Sequence, residues 1–378
     1  MKKFYSFVLH DDVKKYRELL KRVDSYTVYH EPKFLLAEEK AEESPVNIFV
    51  YDDGVNIALL PSIKRNIGAI DGLENFSGYY DLKTPHEYSA VLASEQSAEL
   101  YAKFFNALDE YCHDENIIFQ FIRFNPYRQK DSEVAVQCGY NVALSNQQTY
   151  IDLEDSAENI FANYSSHARR DVRVAMRKKL YGNCILPTND NVEIFRRLYV
   201  LNMQRLNAKK FFYFNAEYFS TLLTDNDFAK LIFVKHAEEV IAAAILLFSK
   251  NFAYYHLSCF NYAFAKFCPM DYLIHSCINI SKSYQKKILH LGGGSSTLKK
   301  FKQKFSNHRV NYYIAHKIFD VVTYQKICDE YLKIHDDADI NFMPLYRGEC
   351  DKKVIAPPRF TVTIFKTFHL LQERRWAA

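Results

Sequence analysis

The sequence predicts an α/β fold of the α+β kind, made of two tandem units, each a mixed central sheet flanked by helices. Three observations carry that prediction. Apolar residues recur at helical spacing in some stretches and form short unbroken or alternating runs in others. The order of those stretches repeats once along the chain. The composition is that of a folded protein: 378 residues, 48% hydrophobic and 25% charged, with only 10 Gly and 10 Pro. It excludes a disordered chain, a collagen and a coiled coil. At roughly 150 residues per domain, the length suits two domains. The 28 Tyr and 30 Phe, against a single Trp, supply large side chains for an extensive core.

Each unit reads helix, hairpin, strand, helix, strand and strand. In the first, a helical stretch at 13–23 leads to Tyr29 and the segment up to Leu36. A hairpin follows, with strands at 48–51 and 55–60 around a turn at Asp52, Asp53 and Gly54. An amphipathic helix at 98–112, a buried strand at 117–124 and a last strand near 149–153 complete the unit. In the second, the helix is 192–206, followed by Tyr213 and the segment up to Ser220. The hairpin is 231–234 with 240–248, the next helix 269–284, and the closing strands 287–291 and 311–315. Tyr29 and Tyr213 lie 184 residues apart, and the two hairpins start 183 apart. Residue identity between the copies is poor, so order and spacing carry the duplication. The division expected is 1–147, 148–335 and an extension at 336–378 to which no role is assigned.

Several classes are set aside. The net charge of +4 is too small for nucleic-acid binding by the whole surface, and DNA is not an expected partner. The apolar stretch near the N-terminus is short and soon broken by His10, Asp11 and Asp12, unlike a secretion signal. The longest apolar run, 240–248, falls well below the roughly 20 residues that span a bilayer. The 8 cysteines include no Cys-x-x-Cys pair, which suits reduced thiols and a cytoplasmic protein. The 13 histidines are scattered without zinc-site spacing, so no metal is expected.

Three segments carry a resemblance. The run Phe121, Ile122, Arg123, Phe124, Asn125 and Pro126 resembles a motif in the first half of the FemA/FemB/FemX family. The stretch from Arg169 to Lys178, with Arg170, Arg173 and Arg177, resembles the arginine-rich helix that opens the family's second half. Leu291, Gly292, Gly293 and Gly294, then Phe301, Lys302 and Phe305, resemble its closing strand, glycine turn and Phe-Lys-x-x-Phe element. Asp71 and Tyr79 are a weaker echo of an Asp followed by Gly-Tyr. The similarity covers about residues 25–335. It implies a tandem pair of acetyltransferase-like (GNAT) domains that transfer an acyl or aminoacyl group to an amine. Nothing between Leu180 and Asn207 is long or charged enough to be the helical tRNA-binding arm of some members.

Candidate residues follow from chemistry and from that resemblance. Arg169, Arg173 and Arg177 recur every fourth residue with Arg170 beside them, a stripe of one sign suited to phosphate or carboxylate. A solvated helix face is the alternative. Tyr254, His256 and Ser258 are expected on one strand face, alternating with Tyr255, Leu257 and Cys259. His256 is a candidate general base. The resemblance places the donor's pyrophosphate at the start of the following helix, where Asp271 lies; Tyr254 and Ser258 join it as donor-site candidates. The stretch 261–268 there contains no glycine, which departs from an ordinary acetyl-CoA site. Gly292, Gly293 and Gly294 let the backbone approach a ligand closely. The resemblance singles out Lys302 as the cation near the reacting carbonyl. Asp71, Tyr79, Arg123 and Asn125 are candidates for acceptor binding. No tightly bound cofactor is expected; acyl-CoA or aminoacyl-tRNA would be the donor, and a small-molecule, glycan or peptide amine the acceptor. The readings are an acyltransferase of envelope or surface-polysaccharide metabolism, an aminoacyl-tRNA-dependent peptidyltransferase, or a non-catalytic module for an anionic carbohydrate or lipid intermediate.

Overall fold

Strands with two buried faces explain the unbroken apolar runs. The computed structural model describes residues 3–348 except 25, 225, 226 and 337. The first unit comprises β1 (Phe4–Val8), α1 (Val13–Leu20), α2 (Pro32–Glu42), β2 (Val46–Asp52), β3 (Ile57–Asn66), β4 (Tyr80–Lys83), β5 (Leu92–Ala93), α3 (Ala98–Asp114), β6 (Ile117–Arg123), α4 (Gln129–Gln137) and β7 (Asn141–Asp152). In β2, Ile48 and Val50 enter the core under α1 and α2, while Phe49 and Tyr51 enter the core under α3. The second unit comprises α5 (Ala157–Ala162), α6 (Ser166–Arg177), β8 (Tyr181–Ile185), α7 (Asn189–Leu206), α8 (Ala216–Leu223), β9 (Ala229–His236), β10 (Glu239–Phe248), β11 (Phe252–Phe260), α9 (Pro269–Ser283), β12 (Ile288–Gly292), α10 (Ser296–Gln303), β13 (Arg309–Ile318) and α11 (Val321–Ile334). Caps mark the boundaries: Thr188 accepts from the Asn191 amide to start α7, and Asn207 ends it in the left-handed conformation.

The 13 strands form one sheet in the order β1-β2-β3-β4-β6-β13-β7-β12-β11-β10-β9-β8, with β5 on β3. All pairs are antiparallel except β4 with β6 and β11 with β12, which occupy the same place in each unit. The repeat is therefore a mixed α/β unit, as its element order predicts. The last strands are exchanged between units, which the element order does not reveal. β7 closes the first unit in sequence but pairs with β12 of the second, Thr149 opposite Gly292 and Asp152 opposite Ile288. β13 closes the second but pairs with β6 of the first, Arg123 opposite Ile314. β7 and β13 pair with each other at the centre, from Arg309 opposite Thr149 to His316 opposite Asn141. Position 147, where the sequence division falls, lies inside β7.

After β13 the chain returns to the first unit. α11 packs over Ile67, Leu73, Ile118 and Phe119. Arg347 Nε donates to the buried Asp81 carboxylate at 2.9 Å, and Arg65 Nε donates to its other oxygen at 2.6 Å. The expected extension is thus tied down as far as residue 348; its remainder lies outside the described residues. Among the described residues no helix is long and apolar enough to cross a membrane. Removing one member of a buried ion network typically costs about 3–5 kcal/mol. Asp81→Ala should lower the unfolding free energy by about 3 kcal/mol or more and open the 338–348 segment to limited proteolysis. Wild-type denaturation and proteolysis would show that the network contributes nothing.

Candidate functional site

The parallel pair β11 and β12 is short. Phe252, Ala253 and Tyr254 pair with Ile288, Leu289 and His290, and beyond them the strands part. On its other side, β11 carries an irregularity against β10: Ile245 faces Leu257, but Leu246 faces Tyr255, so His256 is an extra residue. Such bulges re-aim side chains. Tyr254, Leu257 and Cys259 consequently pack on one face, and Tyr255 and Phe260 on the other. This corrects the strict alternation expected from sequence. Ser258 is turned away from the face of Tyr254.

At the point of parting, four side chains from both units close a buried network. The Tyr88 hydroxyl donates to Gln148 Oε1 at 2.7 Å and lies 2.8 Å from His290 Nε2. His290 Nε2 is 2.9 Å from the same Gln148 oxygen, and the Tyr127 hydroxyl is 2.8 Å from His290 Nδ1. A neutral imidazole satisfies this set, with Tyr127 donating to Nδ1 and the Nε2 hydrogen facing Tyr88 and Gln148. Burial, helped by the nearby Lys302 cation, depresses the His290 pKa to about 3.

Lys302 stands over the end of β12. Its Nζ donates to the Gly293 carbonyl at 2.7 Å. Burial lowers its pKa to about 8, opposed by the Glu87 carboxylate. It is therefore charged at neutral pH although its side chain is almost entirely enclosed. Gly292 adopts φ +74°, and a Cβ there would lie 3.6 Å from Lys302 Nζ and 4.0 Å from the Tyr88 oxygen. A Cβ on Gly293 would meet Asn146 Oδ1 of β7 at 2.7 Å. Glycine is thus required both by conformation and by the closeness of β7. Tyr29, Tyr254 and Tyr312 wall the same space through ring contacts with Tyr88. Glu87 holds φ +63°, uncommon for a side chain of its size, and its charge acts on Lys302, Tyr29, Tyr88 and Tyr312.

The predicted residues divide into those gathered here and those placed elsewhere. Lys302, Gly292, Gly293 and Tyr254 meet at the opening, and Gly294 at φ +125° leads into α10. Asn125 accepts from the Tyr127 amide at 2.9 Å and so orients a network member. Arg123 donates to the Thr84 carbonyl at 3.0 Å and sits over Phe121. His256 lies two residues from Tyr254, with Nε2 2.7 Å from the Tyr218 hydroxyl; burial depresses its pKa to about 4, a weak base at neutral pH. Asp271 accepts from Lys304 at 2.5 Å, a lysine also 3.2 Å from Asp171. The arginine stripe is dispersed. Arg169 binds the Ala162 carbonyl at 2.6 Å and the Tyr164 carbonyl, Arg170 pairs with Asp171 at 2.8 Å, and Arg173 lies over Phe161. Arg177 is exposed in the last turn of α6. Asp71 is exposed and Tyr79 packs in the cluster under α11, apart from the β11–β12 opening.

Comparison with known proteins follows from this geometry. Residues 166–302 match the family described as acetyltransferase (GNAT) domain. The crystal structure of FemX superposes with a TM-score of 0.64 at 11% identity, covering 83% of this chain and 98% of that one. The protein has the FemX-type GNAT fold. The matched stretch lies within the second unit, where the sequence predicts a GNAT-like domain. The same fold recurs in the C-terminal domain of a putative lysylphosphatidylglycerol synthetase from Agrobacterium fabrum, with TM-score 0.57, 14% identity, and coverage of 91% and 99%. It recurs in L-PGS from Bacillus licheniformis, with TM-score 0.52, 14% identity, and coverage of 84% and 96%. Comparison with curated proteins gave no match.

Four site residues escape sequence reading: Glu87, Tyr88, Tyr127 and Gln148. They come from the first unit and reach β12 only through the strand exchange. His290 carried one signal, a polar residue inside an apolar strand.

Burial also holds His30 and His316 near pKa 4. With His256 and His290, four histidines are then neutral when folded, each below the value of about 6.5 in an unfolded chain. On acidification the unfolded chain takes up protons first. Stability should therefore be full above pH about 6.5 and fall towards pH 4, by up to about 1.4 kcal/mol per pH unit for each histidine. Melting curves between pH 7.5 and 4.5 should show this slope, and His290→Gln should make it shallower. A melting temperature independent of pH across that range contradicts the assignment.

Proposed function

We propose that the protein transfers an acyl group from an activated donor, of acyl-CoA type, to the amine of a sugar or peptide acceptor in cell-envelope or surface-polysaccharide metabolism. The observation that carries this reading is the enclosed Lys302 cation at the opening between β11 and β12. In acyl transfer the amine attacks the carbonyl carbon, and negative charge gathers on the carbonyl oxygen before the carbon–sulfur or carbon–oxygen bond to the leaving group breaks. A fixed cation in a dry site is worth most at that moment. Lys302 supplies it, and Gly293 aims it. Glu87 faces the same space and can accept the proton that the amine loses. Its approach from the first unit fits an acceptor bound in the cleft between units. The comparison with FemX and with lysylphosphatidylglycerol synthetases supports an envelope role.

A second reading, aminoacyl-tRNA-dependent peptidyl transfer, has one observation in its favour. The segment before α9 is a 3-10 helix, Tyr262–Phe267, and the first turn of α9 presents the Asp271 carboxylate paired with Lys304. An acidic first turn disfavours a donor diphosphate at that helix start.

Calorimetric titration separates the readings. Acyl-CoA binding supports the first, aminoacyl-tRNA binding without acyl-CoA the second, and nucleotide-sugar binding with neither donor refutes both. With the productive donor, Lys302→Met should lower turnover by about 10²-fold or more and spare donor affinity, because the cation acts on charge present only in the transition state. Wild-type turnover should fall as pH rises through about 8, where Lys302 loses its proton. Lys299→Met is the control. Equal turnover of the two variants removes Lys302 from the mechanism.

A further inference from the structure

The surface made by α7 and the loop after it is unlike the rest of the molecule. Ile194, Leu201 and Leu206 of α7 are 41%, 63% and 53% exposed, and Ile194 and Leu201 lie seven residues apart on one face. The chain then runs through Lys209 and Lys210 into Phe211, Phe212 and Tyr213, all three rings exposed. The loop has a fixed shape. A 3-10 turn spans Lys210–Phe212, the Tyr199 hydroxyl donates to the Phe212 carbonyl at 3.0 Å, and Phe211 and Phe212 pack with centroids 4.1 Å apart. Tyr262, exposed, extends the patch through the Arg205 guanidinium lying over its ring.

The net charge of this surface is positive. From Ile194 to Ala216 the sequence holds Arg196, Arg197, Arg205, Lys209 and Lys210 and no Asp or Glu. Glu193 at the start of α7 pairs with Arg196 and Arg197 at 2.6 Å each, so the excess cations are Arg205, Lys209 and Lys210. Exposed aliphatic and aromatic side chains bordered by cations match the chemistry of an anionic bilayer interface, where rings and aliphatic tips enter the headgroup boundary and lysines meet lipid phosphates. The aliphatic members decide between this and a nucleic acid. Bases stack on Phe and Tyr, but Ile194, Leu201 and Leu206 gain nothing from a phosphate backbone.

The patch also adjoins the segment that leads to the buried network. The Phe211 ring stacks on His86 at 6.5 Å, and Phe214 meets the same imidazole edge-on at 6.0 Å. His86 is two residues from Tyr88 of the buried network. We infer that the α7 face and the 209–213 loop form a docking surface for an anionic lipid bilayer, which seats the protein with the His86–Tyr88 segment towards the membrane. This goes beyond the proposed transfer and is tested without any turnover assay.

The test is co-sedimentation of the full chain with vesicles of phosphatidylcholine alone or with about one third phosphatidylglycerol. The wild type should bind the anionic vesicles, and less so at high salt. Phe211→Ser combined with Phe212→Ser should reduce binding about 10-fold or more at an unchanged melting temperature. Lys209→Glu combined with Lys210→Glu should reduce it at least as much, since each basic residue near an anionic surface is worth about a factor of five. Val55→Ser, an 83% exposed residue of the first unit, should leave binding unchanged. Failure of the wild type to bind anionic vesicles, or binding by the Phe pair variant equal to wild type, overturns the proposal. So does binding of bulk tRNA that the Lys pair variant abolishes when no vesicle binding is seen; the surface would then serve RNA. If the Phe pair variant is unfolded, the Lys pair variant alone decides.

Discussion

The central pairing of β7 with β13 is the constraint on which the rest depends. Two units could each have closed their own sheet. Instead each gives its last strand to the other, and the two strands bond along their length. The junction is then continuous within one sheet, with no edge between the units. The opening between β11 and β12 inherits its composition from this. Gln148 reaches His290 because β7 lies beside β12, and Tyr312 reaches Tyr88 because β13 lies beside β6. Independent domains joined by a linker could not hold these contacts with the same fidelity.

The electrostatics follow from that enclosure. A lysine taken out of water prefers to lose its charge. Lys302 keeps it at neutral pH because the Gly293 carbonyl accepts its hydrogen bond and Glu87 lies nearby. Burial, with the same cation as a smaller cause, keeps His290 neutral, and it serves as a hydrogen-bonding hub. A charged His290 would set a second cation beside Lys302, and its Nδ1 would donate where it now accepts from Tyr127. The enclosed tyrosines, whose hydroxyl pKa values burial raises, add polarity without adding charge.

The layout of elements was legible in the sequence because it rests on local periodicity. Helix spacing at 98–112 and the apolar run at 117–124 each reflect what a single segment buries, and α3 and β6 lie there. The exchange of last strands was not legible, since β7 and β13 carry the same alternating pattern whichever neighbour they pair with. Lys302 and the three glycines were found through a resemblance in contiguous residues. Tyr88 and Tyr127 were not, because an isolated Tyr in a chain with 28 of them carries no signal. The arginine stripe of α6 was legible from its spacing, but not the local partners it takes: Arg169 donates to the Ala162 and Tyr164 carbonyls and Arg173 lies over Phe161. His256 sits on a bulge, and a bulge is an extra residue that strict period-two reading cannot place.

One tripeptide links the outer surface to the buried chemistry. His86 donates through its amide to Glu38 at 2.8 Å, has Nδ1 2.7 Å from the same oxygen, and supports the Phe211 ring. Tyr88, two residues on, closes the network on His290. Between them Glu87 takes the left-handed conformation, which turns the chain so that His86 faces the surface loop while Tyr88 enters the core. The strain at Glu87 is sustained because both neighbours are fixed, one by a buried carboxylate and one by two polar partners and rings. The 209–213 loop, His86, Glu87 and Tyr88 thus form one continuous run of contacts from the surface to the buried network.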